Sequence, residues 1–96
     1  MLFKVEMTVN IPASLPKVQA DEIKAKEKAY SQRLQREGKW LHIWRVVGQY
    51  ANVSIFDVGD NQELHTLLTE LPLYPYMDIT VQPLCAHPSS IDNEKE

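Results

Sequence analysis

The chain predicts an α+β domain in which an antiparallel sheet carries two helices on one face. Three observations support this: strict polar–apolar alternation at the N-terminus, two stretches of helical periodicity flanking a hairpin signal, and a second alternating run near the C-terminus. They give the order strand, helix, strand, strand, helix, strand.

Phe3, Val5, Met7 and Val9 alternate with Leu2, Lys4, Glu6 and Thr8, the period of two that gives a strand one well-buried face. Asn10-Ile11-Pro12 closes it, because proline has no ladder donor. Ser14 offers a helix cap, and Pro16 suits a first helical turn. From Lys17 to Arg36 the chain is rich in Ala, Lys, Glu, Gln and Arg, which favour helix. Gly38 follows, where a left-handed terminating residue is expected. Ala20, Ile23, Glu27, Tyr30 and Leu34 recur at spacings of three and four and so share one face. All of them suit a core except Glu27.

Lys39 to Val47 and Tyr50 to Val58 read as two strands around Gly48-Gln49, a pair compatible with a tight type II′ turn. With a loop of two or four residues, Arg45 lies opposite Asn52 and Trp44 opposite Val53. Leu41, Ile43, Arg45, Val47, Tyr50, Asn52, Ser54 and Phe56 then share one face. Trp40, His42, Trp44, Val46, Ala51, Val53 and Ile55 share the other. Both faces carry large apolar groups, so both are expected to be covered, one by helices and the other by a second subunit's sheet.

Asp60 with Glu63 resembles a capping box, and Leu64, Leu67, Leu68 and Leu71 form an apolar stripe that Pro72 stops. After the linker 72–76, Met77 to Val81 alternates as a last strand. Residues 1–87 are expected to form a single domain, with 88–96 a polar tail or an arm that orders against a neighbour. The βαββαβ order is that of the ferredoxin-like arrangement. Many activities share it, so function must come from particular residues.

Composition narrows the classes. At 96 residues a second core would lack apolar surface, and self-association would help a chain this short. A net charge of −3 argues against a nucleic-acid surface, and the sheet lacks the paired exposed aromatics of an RNA-binding motif. No stretch approaches the roughly 20 apolar residues that span a bilayer, and the N-terminus lacks the apolar centre of a signal peptide. Cys85 is alone, which excludes an intrachain disulfide and points to a reducing cytoplasm. His42, His65 and His87 show no paired spacing, so no metal site is expected. With three glycines the chain has no phosphate-binding loop.

Glu27 is the sharpest signal. If its helix face packs on the sheet, desolvation raises its pKa and suits it to general base work near neutrality. A slight rotation of the helix would instead leave it at the stripe's edge beside Lys24 or Lys28. Arg45 has the planar fork for a substrate carboxylate, or else pairs with Asp57 or Asp78. Asn52 can donate its amide to a developing enolate oxygen, or satisfy local backbone groups. His42 can serve proton transfer, or pack between Trp40 and Trp44, one of which could wall a pocket. Tyr30 and Tyr50 offer hydroxyls but fit core packing, and Cys85 fits a buried or interface thiol.

Several blocks carry a resemblance: Gln32-Arg33-Leu34-Gln35-Arg36-Glu37-Gly38, Trp44-Arg45, Tyr50-Ala51-Asn52, and Leu71-Pro72-Leu73 running into Pro75-Tyr76-Met77-Asp78. In this order, and from Met1-Leu2-Phe3 to His87-Pro88-Ser89-Ser90, the chain resembles the muconolactone isomerases of the aromatic-degrading β-ketoadipate pathway of catechol breakdown. It departs from that pattern mainly over Ala13–Ala20 and at the polar C-terminus.

The resemblance implies a ferredoxin-like fold, a homodecamer, no metal or organic cofactor, and a small lactone as substrate. The implied reaction takes (S)-muconolactone to 3-oxoadipate enol-lactone by a 1,3-proton shift. For that reaction Glu27, which matches the family position, is expected as base; from the residues themselves Arg45 or alternatively Lys24 is expected on the carboxylate, and Asn52 or His42 on the oxyanion. The segment from Leu84 would then cross to a neighbouring subunit. A related branch dehalogenates chloromuconolactones. A non-catalytic small-acid-binding module and a cofactor-independent monooxygenase of similar fold are the other readings.

Overall fold

The computed structural model describes residues 1–94. Strand β1 (Leu2–Val9) is followed by helix α1 (Lys17–Arg36), strands β2 (Trp40–Arg45) and β3 (Ala51–Asp57), helix α2 (Asn61–Thr69) and strand β4 (Met77–Leu84). Short 3₁₀ turns occupy Tyr74–Tyr76 and Ile91–Glu94. The four strands form one antiparallel sheet in the order β2-β3-β1-β4. This is the ferredoxin-like α+β fold expected from the element order.

The alternation in β1 sets the layers. Phe3, Val5, Met7 and Val9 are buried, and the first three join Leu34 of α1 and Leu64, Leu67 and Leu68 of α2 in one core cluster. Both helices therefore cover the same sheet face. Each large apolar side chain buried there contributes about 1.5–3 kcal/mol. Opposite Phe3, Val5 and Met7 on β3 stand Phe56, Ser54 and Asn52, so these also face the helices.

The hairpin has the expected register, with Arg45 opposite Asn52 and Trp44 opposite Val53, but differs in two respects. A one-residue irregularity separates Trp40, opposite Phe56, from His42, opposite Ile55. Leu41 is the extra residue, and it moves Trp40 from the predicted outer face into the core, with its ring centroid 4.6 Å from that of Phe56. The connection is not a two-residue type II′ turn. Val46 N–H donates to the Ala51 carbonyl and Gln49 N–H to the Val46 carbonyl, so Gly48, at φ +78°, sits third in its turn, as in type II.

The capping box forms: Asp60 Oδ1 accepts from Glu63 N–H at 2.8 Å, while the Glu63 carboxylate accepts from Gly59 N–H at 2.7 Å. Helix α2 ends at Thr69, before Leu71, because the residue preceding Pro72 is driven from helical geometry; Leu71 is buried all the same. At the other helix, Pro16 occupies the cap position and Ser14 makes no cap. The final strand runs to Leu84, beyond the expected Val81, and as an edge strand it accommodates Pro83.

Beyond Leu84 the chain is mostly exposed. The long axis is 52 Å, whereas α1, with 20 residues, accounts for about 30 Å. The tail therefore projects. Lys95 and Glu96, the last two residues of the expected tail, lie outside the described residues. No helix among the described residues is long and apolar enough to cross a membrane.

Candidate active site

Glu27 lies on α1 between Ile23 and Tyr30, on the face that meets the sheet, and is half-buried. The chain leaving α2 reaches it: Leu73 N–H donates to Glu27 Oε1 at 2.9 Å. Burial pushes the carboxyl above its ordinary value of 4.5, and the Leu73 N–H offsets part of that rise. Of the two readings left open by the sequence, the structure favours desolvation, though Glu27 is only half-buried and shares its cavity with Lys24 and Lys28.

Beside Glu27 is a cavity of about 280 Å³ between α1, the linker after α2 and the helix-facing side of the sheet. Lys24, Arg45, Tyr50, Asn52, Trp40 and Leu73 line it together with Glu27. An adjoining hollow of about 240 Å³ shares Arg45, Tyr50 and Asn52 and extends along the hairpin. The cations gather around Tyr50, with Lys24 Nζ 5.9 Å and Arg45 Cζ 5.4 Å from its ring centre. Arg45 also donates from Nη1 to the Gln49 carbonyl at 3.3 Å. Its proposed structural acids are engaged elsewhere: Asp57 pairs with the Met1 amino group at 3.3 Å, and Asp78 accepts from Asn10 Nδ2 at 3.1 Å. Among the described residues neither Lys24 nor Arg45 forms an ion pair, so both are available to an anion.

Asn52 sits at the base of the cavity, where its carbonyl accepts from Ser54 Oγ at 2.7 Å and its amide reaches Met7 Sδ at 3.7 Å. Trp40 is buried against Phe56, and its Nε1 finds no acceptor among the described residues.

Four of the five residues singled out from sequence, Glu27, Lys24, Arg45 and Asn52, thus meet in one cavity. His42 does not. Strand alternation places it on the outer face, where its ring stacks on Trp44 at 5.1 Å, so it cannot serve this cavity from within the chain. Cys85, expected to be buried or in an interface, is exposed in the single chain. The Leu73 backbone is a part of the site that the sequence reading missed, and Tyr50, expected in core packing, is instead exposed with its ring at the cavity. Buried Leu71 and Leu73 around a proline marked that linker as packed rather than loose. Tyr30, which uses its hydroxyl on the Leu67 carbonyl at 3.0 Å, is structural, and burial pushes its pKa up to about 12.

A half-buried carboxyl group sharing a cavity with Lys24, Lys28, Arg45 and an amide, on a ferredoxin-like frame, is an arrangement suited to proton transfer on a small organic anion. Comparison with known proteins gives the family. A family model described as muconolactone delta-isomerase matches residues 1–90. The chain is 65% identical over 95 residues to muconolactone Δ-isomerase 1 of Acinetobacter lwoffii, covering 99% of both chains. It is also 65% identical over 91 residues to the muconolactone Δ-isomerase of Cupriavidus pinatubonensis, covering 95% of this chain and 99% of that one. A crystal structure of muconolactone isomerase superposes with a TM-score of 0.91 at 56% identity, covering 95% of each chain. The chain belongs to the muconolactone Δ-isomerase family.

Proposed function

We propose that the chain converts (S)-muconolactone to 3-oxoadipate enol-lactone in the β-ketoadipate pathway, with Glu27 as the single acid–base group. The ring C4 proton of muconolactone is vinylogously acidic, because its loss spreads charge through the C2=C3 bond onto the carbonyl oxygen. The Glu27 carboxylate takes that proton, leaving an oxyfuran-like dienolate and a neutral Glu27. Glu27 then returns the proton to C2, and the double bond remains between C3 and C4. Arg45 and Lys24 hold the side-chain carboxylate, and Asn52 donates to the dienolate oxygen. One proton moves and no electrons are exchanged with a partner.

The supporting observation is the half-buried Glu27 carboxyl in a cavity that also carries Arg45, Lys24 and Lys28. A raised pKa makes the same group a competent base for the first step and acid for the second.

In the same reading, residues 1–87 form the catalytic domain, and its end from Leu84, with the polar segment that follows, reaches a neighbouring subunit of a homodecamer. The exposed apolar groups Trp44, Leu41 and Leu84 favour such an assembly. A cytoplasmic location suits a chain with one unpaired cysteine.

The test is a metal-free assay of (S)-muconolactone in D₂O followed by proton NMR. Conversion to enol-lactone is expected, with the deuterium content at C2 reporting how well Glu27 shields its proton. Glu27→Gln should lower turnover about 10²-fold or more. Near-normal turnover in that variant would overturn the assignment.

A further inference from the structure

We propose that Ser54 is a positioning residue that orients the Asn52 amide as a hydrogen-bond donor toward the reacting ring. The inference rests on the reading of Asn52 as the oxyanion donor and adds what fixes that donor in place.

Ser54 is fully buried on the core face of β3, directly opposite Val5 on one side and Ile43 on the other. A hydroxyl in such surroundings is costly unless bonded. Its bond goes to Asn52, two residues along the same strand face, with Ser54 Oγ donating to Oδ1 at 2.7 Å. The amide nitrogen lies 3.7 Å from Met7 Sδ. A thioether is a weak acceptor and no donor, so it favours nitrogen at that place and disfavours the flipped amide. With Oδ1 taken by Ser54 and one Nδ2 hydrogen directed at Met7 Sδ, the second Nδ2 hydrogen is the donor left for the cavity that Asn52 lines. A dienolate oxygen needs a donor; a flipped amide would offer it a lone pair instead.

The experiment measures steady-state turnover of (S)-muconolactone by Ser54→Ala, Asn52→Ala and the double variant, each first checked for native circular dichroism and assembly. Ser54→Ala should lower kcat about tenfold with little change in KM, since the lost alignment matters where charge develops. Ser54→Cys, with a weaker donor at the same place, should fall between. In the Asn52→Ala background the Ser54→Ala change should have no further effect on kcat. A loss that persists undiminished in that background would mean Ser54 acts through general packing, and would overturn the proposal. So would wild-type kcat in Ser54→Ala when Asn52→Ala is impaired. Wild-type kcat in Asn52→Ala would instead remove the donor reading itself, and the positioning role with it. The pH profile separates the roles further: its acidic limb should stay in place in Ser54→Ala, because Glu27 is untouched.

Discussion

Glu27 shows how a single misfit residue can be read. Its spacing with Ala20, Ile23, Tyr30 and Leu34 placed a charge on a core face, and the structure half-buries it there against the Leu73 N–H. What the spacing could not supply was the partner, because Leu73 arrives from 46 residues away through a turn set by packing. Arg45 and Asn52 were legible as a cross-strand pair from the hairpin register alone. His42 looked equally plausible because a list of polar residues does not say which side of the sheet a cavity occupies. The raised pKa of Glu27 has two consequences. Activity should rise with pH along a limb above the ordinary carboxylate value of 4.5, and the Glu27→Gln variant should lose that limb. The sign for stability is opposite. Folded Glu27 keeps its proton where the unfolded chain has released it, so wild-type stability falls as pH rises through that window. Denaturant titrations below and above the window should show wild type losing ground to Glu27→Gln as pH rises.

At the scale of elements, the polar start of α2 was legible, whereas the Ser14 cap of α1 and the details of β2 were not. The Asp60–Glu63 pattern specifies a reciprocal bond set over a few neighbouring residues, and that set is present. Asp60→Ala should cost about 1 kcal/mol, read as a lower midpoint in urea unfolding with an unchanged slope. Turnover should be retained at temperatures where the variant remains folded, since α2 contributes no cavity side chain beside Glu27. The extra residue at Leu41 was not legible. Strict alternation from Trp40 would put that ring outside, but the pull of a large apolar side chain toward Phe56 favours a local break in pairing. Tertiary burial outweighed strand regularity at that one place. Pro72 illustrates the reverse case, a local backbone rule that ended α2 even though Leu71 belonged to its apolar stripe.

At the scale of the molecule, the layered fold followed from element order, whereas the projecting end did not, because a polar stretch carries no apolar periodicity to read. The radius of gyration is 15.1 Å, where a compact chain of this length would have about 12.5 Å. If the end is an arm, removal of the residues after Ser90 should weaken assembly, with a smaller species in analytical ultracentrifugation and a matching loss of turnover. Unchanged assembly and turnover would make it a free tail. The strand order carries a further consequence, for synthesis. The first strand made is central, and its neighbours are Ala51–Asp57 and Met77–Leu84. Until residue 84 has left the ribosome, β1 has an unpaired flank, an open edge that invites pairing with another nascent copy. Folding of this domain therefore has to wait for its end, and chains made close together on one message are exposed to one another until then.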